Sequence, residues 1–198
     1  QPQCFEKECG LDGCGGSCGT CTGQDDCIDG SCICQPDCYL KQCGDNGCGG
    51  SCGECTGELG CRENQCVSMF AFVRGNLTWS YIADNTMTHY KAKDYCEDIG
   101  GRLPTVSEFR TLIQNCSLTQ TGGSCTLVDS CLTESCLNDA CSGCSGSISG
   151  QYSVFGDYNS YWTSSVDGAS LYAWVVLFRY GRFMKSLDNY RQNVRCVK

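Results

Sequence analysis

The phrase CGLDGCGGSCGTC at residues 9–21 returns as CGDNGCGGSCGEC at 43–55. Laying residues 1–34 over 35–68 aligns them without a gap, with 18 of 34 positions identical. Seven cysteines keep the register: Cys4/Cys38, Cys9/Cys43, Cys14/Cys48, Cys18/Cys52, Cys21/Cys55, Cys27/Cys61 and Cys32/Cys66. A fixed period of this size marks tandem structural units. The first unit carries few large apolar residues (Phe5, Leu11, Ile28 and Ile33). Burial on that scale does not offset the conformational entropy of the chain. Order must come from cross-links that restrict the unfolded chain, at ~2–4 kcal/mol per bridge. The expectation is two small disulfide-rich repeats, 1–34 and 35–68, each an irregular knot of turns and short strands, stacked as a stalk.

The repeats offer three chemical readings besides scaffold. GGSCG at 15–19 and 49–53 matches the G-x-S-x-G nucleophile elbow in letters. That motif needs a strand–turn–helix and a nearby histidine, and the only histidine of the chain is His89. Cys18-Gly-Thr-Cys21 and Cys52-Gly-Glu-Cys55 are C-x-x-C pairs, but no helix signal follows them to lower a thiol pKa. Zinc sites draw four ligands, often from two spaced C-x-x-C pairs, whereas each repeat has one. Structural disulfides account for the whole set, so no catalytic residue, metal or cofactor is expected.

The chain holds 23 cysteines, an odd number. Cys34 is the one repeat cysteine outside the period, because Ser68 stands at its counterpart. It can complete either repeat. One cysteine must be a free thiol or bonded to another molecule, and an intermolecular disulfide between copies is expected. Cysteine at this density points to an oxidising compartment, and the sequence reads as a mature secreted chain with its leader removed. The longest apolar run, YAWVVLF at 172–178, is far short of the ~20 residues that span a bilayer. The net charge is −8, and residues 1–67 hold 11 Asp/Glu against 3 Lys/Arg. Acid concentrated there repels phosphate backbones and argues against a nucleic-acid partner.

From residue 69 cysteine thins and aromatics arrive, enough for an apolar core. MFAFVRGNLTWSYIA (69–83) reads as extended, with a hairpin turn at Gly75-Asn76. THYKAKDYCEDI (88–99) reads as a helix stopped by Gly100-Gly101. TVSEFRTLIQNC (105–116) reads as a second helix, with Thr105 and Glu108 forming a capping box. Residues 116–150 form a cysteine-rich insertion (Cys116, Cys125, Cys131, Cys136, Cys141, Cys144) expected to be pinned by disulfides. Strands are expected at 161–165, 172–178 and 192–197. The overall fold class is small disulfide-rich tandem repeats followed by an α+β domain over 69–198.

The order YC-x5-GRLPT-x2-EF, YWTSS, AWVVLF and a final VRCVK resembles a bacterial extracellular domain. That domain occurs at the C-terminus of Legionella collagen-like adhesin and in the fibrobacterial paralogous family. The resemblance implies a C-type-lectin-like fold over roughly 70–198, in which a first-helix cysteine is bridged to one on the last strand. By position these are Cys96 and Cys196. The repeated phrase is similar to the CGxDGCGGSCGxC repeats of secreted bacterial surface proteins, for which it implies a structural role. The lectin-like fold also carries formylglycine-generating oxidases, but no catalytic pair is placed here.

A lectin-like domain invites a sugar site. The calcium-binding loops of such lectins, E-P-N or Q-P-D followed by W-N-D, are absent after residue 68, and the QPD at 35–37 lies within a repeat. The loop residues Asp157, Asn159, Asp188 and Asn189, with the aromatics Tyr152, Phe155 and Tyr158, are the candidate binding residues; Tyr161 is a further aromatic. His89 reads as a surface or capping residue. Asn76-Leu-Thr78 and Asn115-Cys-Ser117 are N-glycosylation sequons, relevant in a cell that glycosylates them. The functional expectation is a secreted structural protein, a subunit of a disulfide-stabilised filament or surface appendage that self-associates. The alternative is a monomeric adhesin that binds a glycan or protein through the C-terminal domain.

Overall fold

In the computed structural model each repeat is wound round its cysteines rather than round an apolar core. Residues 2–144, 152–167 and 171–198 are described. The chain divides into two units, 1–68 and 69–198. In the first, Cys4–Cys18, Cys9–Cys27 and Cys21–Cys32 close repeat 1, and Cys38–Cys52, Cys43–Cys61 and Cys55–Cys66 close repeat 2. The two sets are the same pairing displaced by one period. Cys9 and Cys43 are the buried centres, each 1% exposed. The large apolar residues stay outside, with Phe5 88% and Tyr39 81% exposed. Stability here is therefore assigned to the cross-links, whose loops span 11 to 18 residues and contribute ~3 kcal/mol each in the chain-entropy picture.

Each repeat ends in a two-stranded antiparallel hairpin: β1 (Asp25–Ile28) with β2 (Ser31–Cys34), and β3 (Leu59–Arg62) with β4 (Gln65–Ser68). Asp29, Glu63 and Asn64 turn through positive φ, as two-residue hairpin loops demand. The glycines of the C-x-x-C pairs have a specific cause. Gly19 and Gly53 sit at φ +146° and +154°, and a Cβ there would collide with the carbonyl oxygens of Glu8 and Gln42. Only glycine lets the backbones cross this closely.

The second unit builds a true core. β5 (Phe70–Arg74) and β6 (Leu77–Ser80) form a hairpin turning at Gly75-Asn76. β7 (Ser160–Val166), β8 (Tyr172–Leu177) and β9 (Arg182–Leu187) form a three-stranded antiparallel sheet. Every sheet in the described residues is antiparallel and small. Helix α1 (His89–Asp98) buries His89, Ala92 and Cys96, one stripe at i, i+3 and i+7. Its end is marked by Gly100 at φ +78°. Helix α2 (Val106–Arg110) opens on the expected capping box: the Glu108 amide donates to Thr105 Oγ1 at 3.1 Å, and the Thr105 amide to Glu108 Oε2 at 2.8 Å.

Two expectations are corrected, and one strand is added. The second helix stops at Arg110, not 116. Beyond it Leu112 and Ile113 bond back only three residues, to Phe109 and Arg110, and Asn115 takes positive φ, so the chain leaves the helix to enter the insertion. Residues 192–197 form no strand. They make single bridges instead, Gln192 to Met87 and Val197 to Trp79 and Arg102. β9 was not read from sequence, because RFMKSL buries only Phe183 and Ser186 and shows little hydrophobic alternation.

The last residues are nonetheless held along their length. Ser80 donates to the Cys196 carbonyl, Ala83 to Val194 and Arg102 to Val197, while Lys198 and Thr78 exchange both bonds. Cys96–Cys196 ties α1 to this segment across 100 residues. Trp79, Trp162 and Trp174 are fully buried in the core.

The insertion is described as far as Cys144; residues 145–150, also assigned to it from sequence, lie outside the described residues. Three bridges pin it: Cys116–Cys144, Cys125–Cys141 and Cys131–Cys136. The Arg110 side chain does the rest. Buried, it donates to five carbonyls: Thr119, Cys125, Leu127, Gln120 and Gly123, at 2.9–3.2 Å. Burial lowers its pKa from the usual arginine value, yet no carboxylate is needed: the fixed carbonyl dipoles solvate the cation.

Candidate functional site

The serines of the two GGSCG phrases are used by the backbone. Ser17 Oγ donates to the Gly19 carbonyl at 2.8 Å and accepts from its amide at 3.2 Å, and Ser51 does the same with Gly53. His89 is engaged elsewhere: its Nε2 lies 2.9 Å from the Thr163 carbonyl and its ring packs on Trp162. It is buried in the core, not a surface residue. Burial lowers its pKa below the ordinary histidine value, so the neutral ring donates to Thr163.

Neither C-x-x-C pair is a redox pair, because each of its cysteines is bonded outside the motif: Cys18 to Cys4, Cys21 to Cys32, Cys52 to Cys38 and Cys55 to Cys66. The sulfurs of Cys9, Cys21 and Cys32 lie within 4.8 Å of one another, as do those of Cys43, Cys55 and Cys61. All six are in disulfides and have no thiolate for a metal. The sulfur clusters mark where two bridges cross.

Two features remain with chemistry to spare. The first is the odd cysteine. Eleven disulfides take every cysteine except Cys14, which is exposed. Cys34, outside the period, bonds Cys48 of repeat 2 with Cα atoms 5.7 Å apart. The bridge joins the two repeats covalently. Counting cysteines shows that one is left over; the pairing shows which.

The second is a groove of about 470 Å³ along β5, lined by Phe72, Arg74, Val154, Phe155 and Arg195 among others. Arg195 is its buried base. One guanidinium nitrogen donates to the Ser80 carbonyl at 2.9 Å, another meets Asp157 Oδ2 at 3.3 Å, and the cation lies 4.0 Å from the Phe155 ring centroid. Asp157 also accepts from the Tyr161 hydroxyl at 2.8 Å. Burial, with Asp157 adding to it, pushes the Tyr161 pKa up to about 12. Among the described residues Trp79 Nε1, Asp157 Oδ1, Arg182 Nε and Arg195 Nε are buried without a hydrogen-bond partner. Unpaired buried polar atoms are costly; of these residues Arg195 lines the groove, and Asp157 is its ion-pair partner. Nothing in VRCVK distinguishes Arg195 from a surface arginine, so sequence reasoning misses it.

The seven candidate binding residues divide. Tyr152 is buried in the core, and Phe155 lines the groove. Asp157 holds Arg195, while the Asn159 amide donates to the Tyr161 hydroxyl at 3.5 Å. Tyr158 is 57% exposed. Asp188 serves elsewhere, its carbonyl accepting from His89 at the start of α1, and Asn189 beside it is exposed. Among the described residues no hydrogen bond, ion pair or ring contact joins Asp188 or Asn189 to the other five. Both sequon asparagines, Asn76 and Asn115, are exposed.

No protein-family model, curated protein or solved structure matches the chain.

Proposed function

We propose that this chain is an extracellular surface protein, an element of a disulfide-stabilised appendage in which stapled repeats carry a C-type-lectin-like domain. The observation that carries the reading is the Cys34–Cys48 bridge. A cysteine that the repeat does not need for its own knot reaches into the next repeat and locks it. Repeats joined covalently make a spacer resistant to pulling and proteolysis. The disulfide density suits an oxidising, extracellular setting, and among the described residues no helix is long and apolar enough to cross a membrane. Support for a lectin-like second unit is its paired ends, with residues 194–198 bonded beside 78–83 and Cys96 of the first helix bridged to Cys196. The role is non-enzymatic.

One thiol per chain limits disulfide-linked association of identical 198-residue chains to pairs, since each can form a single bond outward. A longer homopolymer would be held by non-covalent contacts. The groove at Arg195 favours a second reading, adhesion, in which the second unit binds a glycan or protein segment with Phe155 and Phe72 as stacking surfaces. Negative-stain imaging with and without reductant tests the first reading: uniform filaments are expected, and monodisperse particles would overturn it. Binding on a glycan array, lost in Phe155→Ala, would establish the second.

A further inference from the structure

Cys14 and Cys48 occupy the same place in two loops built alike. In repeat 1, Asp12 Oδ1 accepts from the amides of Cys14 and Gly16, both at 2.8 Å. In repeat 2, Asn46 Oδ1 accepts from Cys48 and Gly50, both at 2.9 Å. Leu11 bridges to Ser17 as Asp45 bridges to Ser51. The chain also enters both loops by the same route. Gln3 donates to the Asp12 carbonyl and Asp37 to that of Asn46, both at 2.9 Å, and Cys4–Cys18 repeats as Cys38–Cys52.

The loops differ in two side chains, Leu11 and Asp12 against Asp45 and Asn46, and in what covers them. Over the second, Cys34 arrives from the preceding repeat and bonds Cys48. The Gln24 side chain lies over Gly47, its Oε1 standing where a Cβ would be, and the Gln35 amide donates to the Gln24 carbonyl at 3.1 Å. Over the first, Cys14 is exposed and a Cβ on Gly13 would meet nothing within 4 Å. The same socket is therefore present twice, filled once and open once. Shifting Cys34 back by one period of 34 residues gives the position directly ahead of Gln1.

We propose that Cys14 is the receiving half of an inter-repeat staple: it takes a cysteine held immediately ahead of Gln1, the last residue of a further 34-residue unit docked on repeat 1 as repeat 1 docks on repeat 2. The partner is a unit of this same kind, with an amide side chain at the Gln24 position to cover Gly13. Closing the bond removes two protons and two electrons from the two thiols. A low-molecular-weight disulfide such as oxidised glutathione accepts them and is reduced to two thiols. The inference rests on the stacked-repeat reading. Imaging tests that reading and a thiol map tests this bridge, so the two fail separately.

The test duplicates residues 1–34 ahead of Gln1 in the full chain and oxidises the product in a glutathione buffer. Alkylation and peptide mapping then locate the free thiol. The expected result is a single alkylated cysteine that has moved: Cys14 is bonded to the added unit's copy of Cys34, and the added unit's copy of Cys14 is free. The control carries Cys34→Ser in the added copy only, and should leave both Cys14 and its copy alkylated. Mapping of Cys34–Cys48 in every sample verifies that the repeats have folded. Cys14 left alkylated beside a free terminal cysteine in a chain that retains Cys34–Cys48 overturns the proposal. So does a Cys14–Cys14 dimer formed in preference to the staple.

Discussion

Replacing Arg110 by methionine should loosen the insertion from the core while leaving its three disulfides closed. The guanidinium satisfies five carbonyls, and three of these belong to residues buried almost completely: Thr119, Cys125 and Leu127. Water can reach the half-buried Gln120 and Gly123 once the side chain is gone. The other three acceptors lose a charged donor in a dry site, at about 1–1.5 kcal/mol each, the low end for stranded buried groups. The expected loss is about 3–5 kcal/mol. For a unit of this size that lowers Tm by roughly 10–15 °C. Tryptophan fluorescence is the right signal, because Trp79, Trp162 and Trp174 all lie in the second unit. Arg110→Lys should fall between, since an ammonium has three donors for five carbonyls. Arg102→Met serves as control: its bidentate pair with Glu108 is half exposed and worth about 0–1 kcal/mol. A loss below about 1 kcal/mol for Arg110→Met would refute the view that this arginine organises the insertion.

Cys96→Ala with Cys196→Ala opens the loop of 100 residues and should cost about 4–5 kcal/mol, read by urea denaturation of the same fluorescence. His89 gives a pH dependence of known sign. Its folded-state pKa is depressed by burial, so above pH ~6.5 both states are neutral and it contributes no slope. As pH falls below that value the unfolded chain takes the proton first and Tm drops, levelling off below the folded-state pKa. His89→Gln should flatten this part of the Tm–pH curve, and an unchanged slope would place its origin elsewhere. Cys34→Ser should raise the alkylated thiols from one to two, Cys14 and Cys48, with the other ten bridges intact by mapping. A single alkylated cysteine in that variant would mean that Cys48 has another partner.

The period was legible in the letters, and so were several features that depend on residues near one another in the chain. The hairpin at Gly75-Asn76, the capping box of Thr105 and Glu108 and the end of α1 at Gly100 each rest on contacts within a few residues, where turn and cap chemistry decides. Cysteine parity likewise required one leftover. What the letters could not supply was any choice among distant partners. Eight cysteines alone permit 105 pairings, and only the folded loops show that Cys34 crosses to Cys48 and leaves Cys14 open.

The same limit explains the two arginines. Arg110 stands on a short helix and Arg195 in the final segment, with sequence neighbours no different from those of exposed arginines. Their roles come from carbonyls 9–17 residues away for Arg110 and from Ser80 and Asp157 for Arg195, 115 and 38 residues distant. The sequence by itself determined that this chain is a cross-linked repeat followed by an aromatic-rich domain, because composition and period act through the entropy and hydrophobicity of every residue at once. Tertiary structure alone decided which sulfurs meet, which arginine holds the insertion and where the groove lies, because those depend on pairs that only packing brings together.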